Sequence, residues 1–279
     1  MQNKYLNLLA LIAVVSLLFS CNPRKEQEKQ ADLRLKHIAQ LVDENSLNTA
    51  KIEIDSIHLL FPRLVEKRKA AEALKDTIVR RESARTLAYC DSILPFKQQQ
   101  ADSIQKNFRL EKNTVYQQFG SYIYKTQRTE NNATRTYLKS FVDENADFFL
   151  ISNYCGAKID HVTVRVSVND LFAQTDTIAT TNAFNHSFSD GGTHWEAITF
   201  KNEADKGVAA FIDQYYFSKI KVTLYGKKPF VYNLSDGDKK AISQTYHLWV
   251  VKKDVAQLQK EIKKATMKIE RINKRKLNQ

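Results

Sequence analysis

The residue types that a divalent metal would need cluster in one short stretch, His186, Asp190, His194 and Glu196, since imidazole and carboxylate both suit first-row ions. Asp190-Gly191-Gly192 reads as a tight hairpin turn. Side chains alternate along a strand, so pairing Phe188 with Trp195 puts His186 on their face and His194 with Glu196 on the other. The divided set reads as histidines satisfied by neighbours or facing solvent, and no metal site is assigned. There is no nucleophile elbow, no glycine-rich phosphate loop and no paired-histidine zinc helix. The expectation is a non-enzymatic chain with no catalytic residues and no cofactor. A softer signal comes from Trp195, Tyr215, Tyr216, Phe217 and Tyr232, whose ring faces are a candidate patch for stacking on sugar or packing on peptide.

Cys21 offers more specific chemistry. Lys4 precedes an apolar run from Leu6 to Phe19, too short to span a bilayer comfortably, and Asn22-Pro23-Arg24-Lys25-Glu26 then turns sharply polar. Leu18-Phe19-Ser20-Cys21 resembles a bacterial lipobox, with an aliphatic residue at −3 and a small residue at −1. The resemblance implies cleavage before Cys21 and diacylglycerol on its sulfur, so that palmitate-type acyl chains anchor the mature chain. Of the three cysteines, Cys90 and Cys155 would remain to pair in an oxidising compartment. They fall in segments of different character, and free thiols are expected.

A third chemistry is suggested by recurrence. Asp55-Ser56-Ile57, Asp76-Thr77-Ile78, Asp91-Ser92-Ile93, Asp102-Ser103-Ile104 and Asp176-Thr177-Ile178 repeat one pattern five times, where composition alone would give roughly one copy or fewer. The tripeptide resembles the O-glycosylation acceptor of exported Bacteroidetes proteins. That would make Ser56, Thr77, Ser92, Ser103 and Thr177 the acceptors. Ordinary amphipathicity, with isoleucine turned inward beside a polar pair, also yields such a pattern in helices.

The elements that must carry these residues are legible from periodicity. The expected fold is α+β: an N-terminal helical hairpin and long helix, a central antiparallel β-sandwich-like head, and a long C-terminal helix pairing back as an antiparallel coiled coil. The organisation reads as signal peptide 1–20, tether 21–30, helical region 31–114, head 115–235 and return helix 236–277. Ala31, Leu35, Ile38 and Val42 form one helical face and Ala50, Ile54, Ile57 and Phe61 the next. Leu41, Ala50, Ile54, Ile57 and Pro62 resemble part of a tetratricopeptide unit, but Arg34 and Ile38 depart from it and there is no second copy. One seam runs through Leu87, Cys90, Leu94, Ala101, Ile104, Phe108 and Val115. Its complement runs through Val255, Leu258, Ile262, Ala265, Ile269 and Ile272. Between them the period drops to two, predicting strands that include Val115–Phe119 and Thr175–Ala179, with one short helix over Val208–Phe217 and Ser235 capping the return helix.

The 279 residues carry a formal charge of +12, of which only Lys4 precedes Cys21, leaving +11 on the mature chain. Export removes nucleic acid as a partner and leaves anionic lipid, acidic glycan or solvation as readings of that charge. The lipobox, the tripeptides and the layout together resemble the uncharacterised lipoproteins of the Bacteroidetes. The resemblance implies a cell-envelope location; acidic residues, which resemble a surface-export signal in that group, are not concentrated after Cys21, which favours the outer membrane facing the periplasm, with surface exposure left open. Expected partners are the membrane through the lipid, an envelope protein or glycan, and a second copy through the coiled coil. The expected function is a scaffold or binding protein, with a glycan-binding accessory protein as the alternative.

Overall fold

The computed structural model describes residues 23–277 except 114, 116, 129–131, 133 and 202. The chain forms two compact units, one of residues up to Tyr89 with those from Glu261 onward, the other of Cys90–Lys260.

The first unit is helical. Helices α1 (Pro23–Asp43) and α2 (Leu47–Leu60) meet the first part of α3 (Val65–Gln105) around Ile38, Val42, Ile54, Ile57, Leu64 and Ile78, all buried in one apolar cluster. The apolar stripe of each helix is what its periodicity predicted. Asn45, at φ 65°, turns the chain between α1 and α2. Ion pairs such as Arg34–Glu53 (2.9 Å) and Lys67–Asp32 (2.6 Å) close the edges. The last turns of α5 (Asp236–Leu277) run antiparallel to α3, because Asp76 pairs with Arg275 and the later Arg80 with the earlier Asn273. Ala265 and Ile272 are buried there.

Among the described residues of the second unit, ten strands form two antiparallel sheets. Strands β1 (Phe108–Glu111), β2 (Ser121–Tyr124), β3 (Tyr137–Asp143), β4 (Phe148–Gly156), β7 (Asn185–Asp190) and β8 (Thr193–Lys201) make the larger, in the order β1-β2-β3-β4-β8-β7. The smaller has the order β10-β9-β5-β6, from β5 (Thr163–Val168), β6 (Leu171–Gln174), β9 (Lys221–Tyr225) and β10 (Phe230–Asn233). Leu138, Leu150, Ile198 and Phe200 from one sheet share a core with Val164, Val166, Val222 and Leu224 from the other. Ile212 of α4 (Val208–Gln214) and Ile242 of α5 complete it. The sheets are not closed into a barrel, and the expected α+β architecture is the observed one.

The start of α5 is tied into this core. Ser235 Oγ accepts from the Asp238 N–H (3.1 Å) and donates to Asp238 Oδ2 (2.7 Å), a reciprocal cap. Buried Asp238 also takes both arms of Arg135 (2.7 Å each) and the amide of Gln127 (3.2 Å). Farther along, Lys97 of α3 meets Asp254 of α5 at 2.7 Å.

Several boundaries differ from expectation. Within the stretch 21–30 the chain is helical from Pro23. Helix α3 ends at Gln105, and Phe108, assigned to its seam, begins β1. Phe108 is buried against Tyr124, Ala241 and Leu248, so it meets an apolar neighbour in either conformation and its spacing could not choose between them. Val115–Phe119 forms no strand among its described residues, and Val115 is exposed rather than on a helical seam. Thr175–Ala179 is irregular because its N–H groups scatter, Thr175 to Val164, Asp176 to Ala204 and Ile178 to Val162, while Leu171–Gln174 supplies the edge strand instead. Cys90 and Cys155 are free thiols.

Candidate functional site

A polar cluster stands where the chain crosses from one sheet to the other, between Gly156 at the end of β4 and Thr163 at the start of β5. At its centre is Glu196, on the inward face of β8 and only 2% exposed. The crossover wraps its carboxylate with three successive backbone donors. Ile159 and Asp160 N–H reach Oε1 at 2.9 and 2.8 Å, and His161 N–H reaches Oε2 at 2.8 Å. Asp160 holds a φ of 51° to complete this concavity, a conformation that L-residues rarely adopt and that converges consecutive N–H groups on one anion.

The imidazole of His161 extends the network. Its Nδ1 lies 2.5 Å from Glu196 Oε2 and its Nε2 lies 3.0 Å from Ser152 Oγ. With Nδ1 donating to the carboxylate, Nε2 accepts from the hydroxyl, so the three side chains satisfy one another. A serine, a histidine and an acid in series are the parts of a nucleophilic relay. Here, however, Ser152 and His161 are both fully buried, and a substrate carbonyl has no path to the hydroxyl. Burial alone would raise the Glu196 pKa, but the His161 side chain and the three N–H donors outweigh it and hold the carboxyl at about 2.

His194, two residues before Glu196 on β8, faces the same carboxylate. Its Nδ1 is 2.6 Å from Ser189 Oγ across the β7–β8 hairpin, and its Nε2 stands 3.5 Å from Glu196 Oε1. The hairpin has the expected register, with Phe188 opposite Trp195 and both turn glycines at positive φ. Asp160 adds a second carboxylate. The ligating atoms of Asp160, His194 and Glu196 all lie within 4.8 Å of one another. Lys227 (2.7 Å) and Lys158 (3.5 Å) attend Asp160 from the solvent side, and the Lys227 ammonium holds the Asp160 carboxyl below its ordinary range.

Alternation thus sorted the hairpin residues by face, with His186 exposed beside Phe188 and His194 inward with Glu196. What it could not supply was Asp160 and His161, brought in from the crossover by tertiary folding. Their only trace in the sequence is an Asp-His pair between two strand-like runs.

The other expected site residues are placed as follows. Cys21 lies outside the described residues. Ser56 and Thr77 sit on helices with their hydroxyls turned back onto the carbonyls of Ile52 and Ala73. Ser92 and Ser103 are exposed on α3, and Thr177 is exposed with its hydroxyl 2.9 Å from that of Thr163. Trp195 stacks on Phe188 (centroids 5.0 Å, planes 7° apart) on the outer face of the larger sheet. Tyr215 packs on Phe211 against the core, and Tyr216 abuts Phe217. Tyr232 also packs against the core; burial first, and then the Asp238 charge, raise the pKa of its hydroxyl. Trp195 therefore belongs to a different surface from the core-facing Tyr215 and Tyr232.

No family model matches the chain, and neither a curated protein nor a solved structure matches it.

Proposed function

We propose that this chain is a cell-envelope lipoprotein, anchored through acyl chains on Cys21, whose two-sheet unit is a non-enzymatic binding or scaffolding module. The observation that carries the binding reading is the contrast between the two faces of the larger sheet. Its inner face carries the Ser152–His161–Glu196 series, sealed and consumed in holding the crossover. Its outer face carries the rings. Phe188 is 61% exposed and stacked on Trp195; Phe141 stacks on Phe149 at 4.4 Å, with Lys201 over the Phe149 ring at 4.9 Å.

Flat, pre-stacked rings lose little conformational freedom on binding, which is why such faces serve recognition. The glycan-binding alternative draws on the same observation, since the Phe188–Trp195 pair offers a ring face beside the polar rim of His186 and Asp190. The anchor reading rests on the Leu18-Phe19-Ser20-Cys21 sequence, and helix α1 begins two residues later at Pro23.

The anchor is tested by the intact mass and detergent partitioning of the mature chain from a Gram-negative host, beside Cys21→Ala. An acylated wild type in the detergent phase and an unprocessed variant are the expected results. A wild type that is cleaved, unmodified and aqueous would remove the lipid from the reading.

A further inference from the structure

Among the described residues, His194 carries an anomaly that the crossover's architecture does not use. The residue is 8% exposed, yet its Nε2 has no hydrogen-bond partner. A buried imidazole nitrogen left unpaired is destabilising, and this one stands beside the carboxylates of Glu196 and Asp160. Its 3.5 Å approach to Glu196 Oε1 is too long for a hydrogen bond. That gap has a chemical meaning, because two ligands about 2.1 Å from one zinc at the tetrahedral angle stand roughly 3.4 Å apart.

We propose that Asp160, His194 and Glu196 bind one divalent transition-metal ion of the Zn2+ type, with a fourth position left for water. The donor set of one imidazole and two carboxylates suits a first-row ion with mixed nitrogen and oxygen preference. Ser189 supplies the outer partner that such a histidine needs: with Nδ1–H donating to its hydroxyl, the Nε2 lone pair is the one presented to the metal.

Asp160 is the ligand that must rearrange. Its oxygens are held by Lys227 and Lys158, two exposed lysines that can swing into solvent while the metal takes over their charge. Asp160 also lines an open depression of about 670 Å³ with Val162, Thr180, Ser187 and Tyr225, so that this ligand of the three borders solvent.

The site is independent of the lipid anchor, and its failure would leave that reading standing. The test uses the full mature chain without a histidine tag, extracted in detergent, stripped with chelator and titrated with Zn2+ against a chromophoric competitor at pH 7.5. One ion should bind with a Kd of about 1 µM or tighter. His194→Ala should weaken it by more than about 100-fold, Ser189→Ala by about 10-fold, and His186→Ala, on the opposite face, not at all. Thermal melting of each variant without metal separates loss of a ligand from loss of the fold. Glu196 is left intact, because it holds the crossover. The zinc absorption edge should report one imidazole and carboxylate oxygens at about 2.0–2.1 Å. Binding weaker than about 0.1 mM, or equal binding by the wild type and a folded His194→Ala, overturns the site.

Discussion

Glu196 makes the interior of the two-sheet unit sensitive to acid. Three backbone N–H groups and one imidazole converge on a carboxylate with almost no access to water, so its charge is needed for the crossover to stay folded around it. Its folded pKa of about 2 lies below the ordinary 4.5. The sign follows from that depression: its contribution is fully present above pH 4.5 and is lost as pH falls from there through about 2. Its size is about 3 kcal/mol. Chemical denaturation from pH 7 down to pH 2.5 should show most of that loss in the wild type. Glu196→Gln should be less stable than wild type by at least about 3 kcal/mol at pH 7, because an amide N–H₂ would face donors that expect an acceptor, and its stability should respond less to acid. Equal acid slopes for the two proteins would count against the network. Asp160 and His161 were not legible as members, since their roles depend on a strand that follows them by more than thirty positions.

At the scale of elements, close backbone approach decides where the crossover can lie. A Cβ on Gly226, just past β9, would stand 2.4 Å from the Ile159 carbonyl and 2.6 Å from that of Asp160. The same two segments are joined by the Lys227 N–H to Ile159 carbonyl bond at 2.8 Å. Gly226→Ala should therefore cost about 3 kcal/mol, seen as a lowered denaturation midpoint, and should disturb the Glu196 donors with it. Gly191 is the contrasting case: its φ is 53° and nothing stands within 4 Å of a Cβ built there. Asn tolerates that conformation in a two-residue hairpin, so Gly191→Asn should shift stability by less than about 1 kcal/mol. The two glycines look alike in the sequence; one is needed for a dihedral angle and the other for space, and only the folded neighbours tell them apart.

For the whole molecule, the recurrent tripeptides make a statement about surface. In each, the isoleucine is turned further in than the acid: Ile57 and Ile78 are buried, while Asp55, Asp91, Asp102 and Asp176 are exposed. None of the five hydroxyl residues is buried. Attachment of sugar at Ser56, Thr77, Ser92, Ser103 and Thr177 would thus leave both apolar cores undisturbed. If they are acceptors, the chain made in a Bacteroidetes host should carry hexose-containing mass absent from the same chain made in a host without that pathway. Replacing Ser92 and Ser103, the two exposed on α3, with Ala should remove a discrete part of it. Identical masses from the two hosts would reduce the recurrence to helical amphipathicity.

Local chemistry by itself determined the helical faces around Ile38 and Ile54, the inward and outward alternation along β8, the Gly191-Gly192 turn, the Ser235 cap and the span of the return helix. Each follows from a period or a turn preference that a few neighbouring residues carry in full. Where Phe108 satisfies both a helical seam and a strand pair, or where Thr175–Ala179 divides its N–H groups between the start of β5 and the turn after β8, local pattern had no preference to express and the tertiary neighbours chose. The polar cluster was decided wholly at that level. Glu196 and His194 could be set on one face from sequence, but the donors of Ile159, the strained Asp160 and the imidazole of His161 arrive only when the two sheets close. A buried carboxylate draws whatever donors the packed crossover brings within about 3 Å, and sequence spacing does not encode that distance.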